Sequence, residues 1–290
     1  SHAVIYHALN RFGLSSGHLS HWIGHRLEDG YGISPNLVDK VLAEAKLPTV
    51  VISADCGSSD AEQIARMHQA GISVIVTDHH QISDQGPPEE AYAVVNPNRE
   101  DCSYPDKNIA GCMVSWLVMS GLRQALIDRG LLPKDIPKLG DLLDYVALGT
   151  VADCVSLGDS EINRAVVSVG IQLIRAQKRP CWTIVIQQLA RTQDDINSEF
   201  LAFQVAPRLN ARGRIRHAMR GFEFLAATSM RDASSAFKDL DADNQTRRAI
   251  EKQMVQQAKP LAERQKIQGR SILIVLLEQG HSGVQGIVAS

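Results

Sequence analysis

The chain has 290 residues, 44% of them apolar, and its 30 basic and 32 acidic side chains nearly cancel. That length and composition suit a soluble globular protein with a full core, and the near-neutral balance excludes polyanion binding by net charge alone, so any such affinity must come from local clustering. Five scattered cysteines with no C-x-x-C pair argue against a disulfide framework and a structural zinc site and fit a reducing cytosol; no apolar segment approaches the ~20 residues of a membrane span, and no signal peptide opens the chain.

In chain order, "AVIYHALNRFG" reads as a helix already under way, with Val4, Ile5, Ala8, Leu9 and Phe12 on one face. With no initiator Met, the chain is expected to be a fragment. "TVVISAD" (49–55) is a short apolar run ending at an acid, "SSDAEQIARMHQAGI" (58–72) has helical spacing closed by Gly71, and "SVIVTD" (73–78) and "AVVNP" (93–97) are further strand-like runs. Short strands of this kind separated by helices predict an α/β fold with a parallel sheet covered on both faces. "GCMVSWLVMSGLRQALI" (111–127) and "LGDLLDYVALGTVADCV" (139–155) read as buried helices. From Asp232 to about Ile267 a polar stretch with a narrow apolar stripe predicts a long exposed connector helix, which Pro260 is placed to kink or interrupt. "RSILIVLLEQGHSGVQGIVAS" (270–290) predicts a strand, a loop and the start of a helix, opening a second α/β domain.

In an open parallel sheet, functional groups gather where strands deliver their carboxyl ends. Asp55 and Asp78 each sit at such an end, and one intervening helix of crossover length places the two strands side by side or one strand apart. An acid after a strand is usually a turn or cap residue, and Asp153, which closes a buried apolar stretch, is weak evidence by itself. Adjacent His79 and His80 behind Asp78 are harder to dismiss, because burying three ionisable groups at one strand end is costly unless something compensates. Carboxylates and imidazoles without thiolates suit manganese or magnesium, ions that activate water and neutralise charge in phosphate-ester hydrolysis.

The segment "VISADCGSSDAEQIARMHQAGISVIVTDHH" resembles the second and third motifs of the DHH phosphoesterase superfamily, whose signature stands at 78–80. "RLEDGYGIS" (26–34), "VVNPNREDCSYPDKNIAGCMVSW" (94–116), "LLDYVALGTVADCVSL" (142–157), "APRLNARGR" (206–214), "LDADNQTRR" (240–248) and "HSGVQGIVAS" (281–290) resemble the branch of RecJ-like single-strand-specific exonucleases, in the right order along nearly the whole chain. The resemblance implies that Asp55, His79 and Asp153 hold two Mn2+ or Mg2+ ions in the complete protein, that His80 contacts the scissile phosphate, and that Asp78 orients the histidine pair. It further implies 5′-to-3′ hydrolysis of single-stranded DNA in recombination and repair, in the cytoplasm, and leaves open a single-strand-binding protein as partner. The family's Asp-x-Asp first motif would precede Ser1, so the chain as it stands is expected to hold at most one ion and to show little activity.

Charge adds the substrate side. "PRLNARGRIRHAMR" (207–220) carries five arginines and no acid. A guanidinium fork engages two phosphate oxygens at once, whereas a solvated basic face is the plainer reading for Arg216 and Arg220. The resemblance favours a backbone-binding loop for Arg208, Asn210 and Arg214. Arg26, ahead of a Gly-rich turn, is placed either to grip a terminal phosphate or simply on the surface. His281 faces the site from the DHH-associated domain or merely caps a helix. The expected organisation is a DHH domain at 1–160, a helical part with the Arg-rich loop at 161–231, the connector at 232–268 and the start of the DHH-associated domain at 269–290. Two other readings stay open: a small-substrate phosphoesterase acting on nanoRNA, cyclic dinucleotides or pyrophosphate, and a non-catalytic replication scaffold.

Overall fold

The amino-terminal apolar face forms a helix as its spacing requires: α1 (His2–Arg11) buries Ala3, Val4, Ile5 and Ala8. A computed structural model describes residues 1–289 other than 16, 26, 27, 191, 216 and 217. Helix α2 (Pro35–Leu42) starts where Pro35 supplies a preset φ and the Ser34 side chain accepts from the Leu37 N–H. Then come β1 (Val50–Ile52), α3 (Ala61–Gln69), β2 (Ser73–Thr77) and β3 (Ala93–Val95). The three strands are parallel in the order β1-β2-β3, with Val50 opposite Ser73 and Ile75 opposite Ala93, so β1 and β2 lie side by side.

Side-chain alternation along β2 splits the sheet between two cores. Val74 and Val76 join Ile64, Met67, Ile72, Val38 and Val41 beneath α2 and α3. On the opposite face lies α4 (Gly111–Asp128), whose Ser115 Oγ is 3.1 Å from Thr77 Oγ1. Helix α4 belongs to the larger core with α1, α5 (Leu143–Ala152), α6 (Glu161–Arg175) and α7 (Pro180–Leu189). Here Trp182 is fully buried and its indole N–H is bonded to Asp144 at 2.7 Å.

Beyond α7, α8 (Ser198–Phe200) passes through a π-helical turn at Leu201–Val205 into α9 (Ala206–Ile215), followed by α10 (Met219–Ala226). The Arg-rich stretch is therefore helical where a loop was expected. The long polar stretch forms a helix, α11 (Met230–Ile267), capped by Ser229 and unbroken at Pro260, which lies at an exposed position. The last element is α12 (Gln285–Ala289). The strand expected within 270–277 does not form. A strand needs a hydrogen-bonded neighbour, and among the described residues none pairs with this segment, leaving Ile272, Ile274 and Leu276 at 76%, 77% and 82% exposure.

Candidate metal centre

The turn after β1 is built to present one carboxylate. Ser53 Oγ donates to the Cys56 carbonyl at 2.6 Å, Thr77 Oγ1 donates to the Ser53 carbonyl at 2.6 Å, and the Asp55 N–H reaches the Thr77 carbonyl at 2.8 Å. Asp55 is held at φ 71, in the left-handed region that non-glycine residues seldom adopt. Its carboxylate rests on the amino terminus of α4: a Cβ on Gly111 would lie 2.0 Å from Asp55 Oδ1, so only glycine fits there. The helix terminus also favours the anion.

The end of β2 delivers the second cluster. Asp78 is 1% exposed, and its burial is compensated by donors. Oδ1 accepts from the His79 N–H (2.8 Å), the His80 N–H (3.3 Å) and His80 Nδ1 (2.7 Å), while Oδ2 accepts from the Ser58 N–H at 3.1 Å. Burial raises the Asp78 pKa, but the bonds from His80 and Ser58 outweigh it and hold the carboxyl below its ordinary range. Residues leaving β3 complete the frame. Asn96 Nδ2 donates to Ser58 Oγ (2.8 Å) and to the His80 carbonyl (2.9 Å), and Asn98 Nδ2 donates to the His79 carbonyl at 2.5 Å.

These frames aim three side chains at one point. Asp153 caps α5, just before Cys154 at φ 56. His79 Nε2 stands 3.0 Å from Asp153 Oδ2 and 3.3 Å from Asp55 Oδ1, with the His79 side chain 13% exposed. Despite these short distances, His79 Nε2 and Asp55 Oδ1 are buried without a partner in hydrogen-bond geometry. They converge on a shared space rather than on each other. Two carboxylates and one imidazole around such a space are a donor set that fits a divalent cation such as manganese or magnesium. The electrostatics agree: Asp153 and then Asp55 push the imidazole up to about 10 against its burial, which registers the negative charge gathered at this point. Burial raises the Asp55 pKa, but His79 and the amino-terminal charge more than offset it and the net shift is downward. His80 joins the group, since one ligand atom each from Asp55, His79 and His80 lie within 4.8 Å of one another. Its side chain is 60% exposed and its Nδ1 is committed to Asp78, which leaves Nε2 as the ring nitrogen available to a ligand.

Among the expected substrate residues, Arg208, Asn210 and Arg214 lie on α9 and His281 in the turn ahead of α12, apart from the frame just described. Arg26 lies outside the described residues. On α9, Arg208 is bound by Asp241 at 2.7 Å and Arg212 by Asp243 at 2.7 Å, and on α10 Arg220 meets Asp239 at 2.8 Å. The basic stretch thus faces an acidic stripe of α11. Asn210 is exposed on α9. Arg214 Nη1 donates to the Gly283 carbonyl at 3.1 Å, and a Cβ on Gly283 would lie 2.1 Å from the Arg214 carbonyl oxygen, so the turn carrying His281 presses on the end of α9. His281 Nδ1 accepts from the Gly283 N–H at 3.2 Å, and the His281 carbonyl accepts from the Val284 N–H at 2.9 Å. Reading the sequence misses Ser58, Asn96, Asn98 and Gly111; the one available signal was the N-P-N tripeptide directly after β3.

Comparison with known proteins agrees with this geometry. The model of the DHH family, N-terminal domain, matches residues 1–150. The single-stranded-DNA-specific exonuclease RecJ of Salmonella typhimurium is 37% identical over 284 residues, 96% of this chain and 48% of the relative; that of Bacillus subtilis is 29% identical over 290 residues, all of this chain and 34% of the relative. The chain therefore spans about half the length, or less, of the curated relatives it matches. Among solved structures, exonuclease RecJ bound to manganese superimposes with a TM-score of 0.82 at 27% identity, covering 99% of this chain and 67% of that one. RecJ from Thermus thermophilus in complex with Mg2+ gives 0.60 at 25% identity, over 83% of this chain and 32% of that one. The strand-end carboxylates, the signature histidines and the extent of these matches lead to one conclusion: the chain belongs to the DHH family.

Proposed function

We propose that this chain forms the metal-holding core of a single-strand-specific DNA exonuclease that hydrolyses phosphodiester bonds in the 5′-to-3′ direction during recombination and repair. The observation that carries the reading is the convergence of His79 Nε2 and Asp55 Oδ1, both buried without hydrogen-bond partners, beside Asp153. Asp55, His79 and Asp153 would hold Mn2+ or Mg2+, which supplies an activated water and neutralises phosphate charge. Asp78 fixes the His80 ring through Nδ1, so that Nε2 can donate to a phosphate oxygen or pass a proton to the leaving oxygen. Asp78 thus serves as a positioning residue for His80 and for the backbone that carries His79. Arg208, Asn210 and Arg214, with Arg26 and His281, are the residues proposed to face the DNA backbone. The relatives' specificity for single-stranded DNA supports this substrate, and a single-strand-binding protein is a proposed partner. Among the described residues no helix is long and apolar enough to cross a membrane; the proposed location is the cytoplasm.

Three side chains, one of them a neutral imidazole, can hold one ion but supply too little charge for two ions ~3.5–4 Å apart. Metal binding is therefore the primary readout. Titration with Mn2+, followed by electron paramagnetic resonance of the free ion, should show one weak site that Asp55→Ala abolishes. In the same buffer, 5′-phosphorylated single strands should bind better than duplex, with a salt slope that falls by about one in Arg214→Ala if one phosphate contact is lost. Manganese binding indifferent to Asp55→Ala would refute the centre. Hydrolysis of a cyclic dinucleotide with no affinity for single strands would replace the substrate.

A further inference from the structure

We infer that Asn163 is a positioning residue for the metal centre: its side-chain amide clasps together the two segments that carry Gly111 and Asp153. The inference rests on the metal-centre reading above but on different residues. Asn163 is fully buried in the first turn of α6. Its Nδ2 donates to the Asn108 carbonyl at 2.9 Å and to the Ser156 carbonyl at 3.0 Å. Asn108 lies three residues ahead of Gly111, on which the Asp55 carboxylate rests, and Ser156 lies three residues behind Asp153. One amide therefore sets the separation between the amino end of α4, on which Asp55 rests, and the carboxyl end of α5, which carries Asp153.

The surrounding bonds work to the same end. Ser160 Oγ accepts from the Asn163 N–H at 2.9 Å and donates to Asp106 Oδ2, while Asp106 Oδ1 accepts from the Asn108 N–H at 2.9 Å. Asp106 thus ties the first segment to the start of α6 at the rim, as Asn163 does in the interior. Asn163 Oδ1 has no hydrogen-bond partner, so the side chain serves through its two N–H groups alone. No other residue of this size offers that geometry. Aspartate has the same shape but no donor and would turn negative oxygens toward two carbonyls, and leucine leaves both carbonyls unpaired. Outer residues that orient metal ligands characteristically change metal affinity by 10–100-fold when replaced.

The test compares the unsubstituted chain with Asn163→Asp and with Asp106→Ala, which cuts the rim of the clasp and leaves the buried amide in place. Mn2+ affinity is measured by electron paramagnetic resonance at a temperature where urea denaturation shows each variant folded. Asn163→Asp should weaken binding by tenfold or more and Asp106→Ala by several-fold, a loss that destabilisation alone does not produce in a fully folded population. If Asn163→Asp fails to fold, Asp106→Ala decides. A folded variant with unchanged manganese affinity overturns the inference. Amide hydrogen exchange supplies a readout independent of metal: Asp106→Ala should speed exchange at 106–110 and 154–160 together, and acceleration of only one segment, or of neither, overturns the clasp. Failure of the unsubstituted chain to bind manganese refutes the metal-centre reading, and the exchange result then decides the clasp on its own.

Discussion

Replacing Gly170 by alanine tests whether the helix that ends at Asp153 is held as tightly as the structure shows. Gly170 is a buried residue of α6, and a Cβ there would lie 2.2 Å from the Ala147 Cβ and 2.5 Å from the Leu143 carbonyl oxygen, both on α5. Carbon atoms in contact sit about 3.5–4.0 Å apart, so the two helices must part by roughly 1.5 Å. Helix α5 has no room to retreat, because on its α4 side a Cβ at Gly149 would already meet Cys112 Sγ at 2.5 Å. Overpacking against such stiff atoms costs up to about 3 kcal/mol, and the gain in helix propensity returns about 1 kcal/mol, for a net loss of about 2 kcal/mol. In a domain of this size that lowers Tm by about 4–8 °C. The matched control is Gly121→Ala on the exposed side of α4, where an added Cβ meets nothing within 4 Å. It should stabilise by about 0.5–1 kcal/mol. Urea denaturation followed by far-UV circular dichroism gives both values, and a manganese titration of Gly170→Ala should show weakened binding as Asp153 moves off its 3.0 Å approach to His79. Equal stability of Gly170→Ala and the unsubstituted chain would refute the packing argument.

Three other outcomes follow from the same geometry. Asp144→Ala removes the acceptor of Arg179 Nε (2.7 Å), Trp182 Nε1 (2.7 Å) and the Tyr145 N–H (2.7 Å) at a site 2% exposed, and should cost about 3–5 kcal/mol in urea denaturation; a loss under about 1 kcal/mol would contradict the buried network. His7 is lowered to about 4 by burial and then by the nearby Arg179 charge, so between pH 6.5 and about 4 the unfolded chain takes up a proton that the native ring refuses. Stability is therefore full above that window and falls as the pH drops through it, by at most about 3 kcal/mol, and His7→Phe should flatten the profile; equally steep profiles would rule out this residue. Manganese at a hundred times its dissociation constant should stabilise the chain by about 2.7 kcal/mol in thermal unfolding, an increment that chelation reverses and Asp55→Ala lacks, whereas an equal gain in Asp55→Ala would place the ion elsewhere.

The parts of this site that lie along one stretch of chain were readable in advance. Apolar runs ending at Asp55 and at Asp78–His80, with one helix between them, leave few arrangements in a parallel sheet, and the structure has the adjacent one. Asp153 was weak by spacing and needed the family resemblance, because a helix cap carries no local mark of what it faces. Contacts made through space were not legible. The demand for glycine at position 111 comes from the Asp55 side chain arriving from another element, and Asn96 and Asn98 donate to the turns that follow β1 and β2. Likewise, the stretch 207–220 contains no acid, yet Asp239, Asp241 and Asp243 lie opposite it once α11 folds back. A window of sequence counts charges and cannot see their partners. The run at 271–277 shows the converse: β propensity marks residues that suit a strand, but the hydrogen-bonded neighbour has to come from elsewhere.

That run also offers an edge at which two copies of the chain would pair at high concentration. The Gln265 side chain bonds both the N–H (2.9 Å) and the carbonyl (2.5 Å) of Ile274, which blocks one edge of the segment and leaves the opposite edge open. If two copies pair antiparallel about Ile274, Ile272 stands across from Leu276 and Arg270 from Glu278, so apolar and ionic matches fall into the same register. Uncharged β-branched edges of this kind are templates for intermolecular addition. Such pairing would make the solubility of the chain depend on a few residues of this run, and salt, by screening the two flanking charges, would shift it.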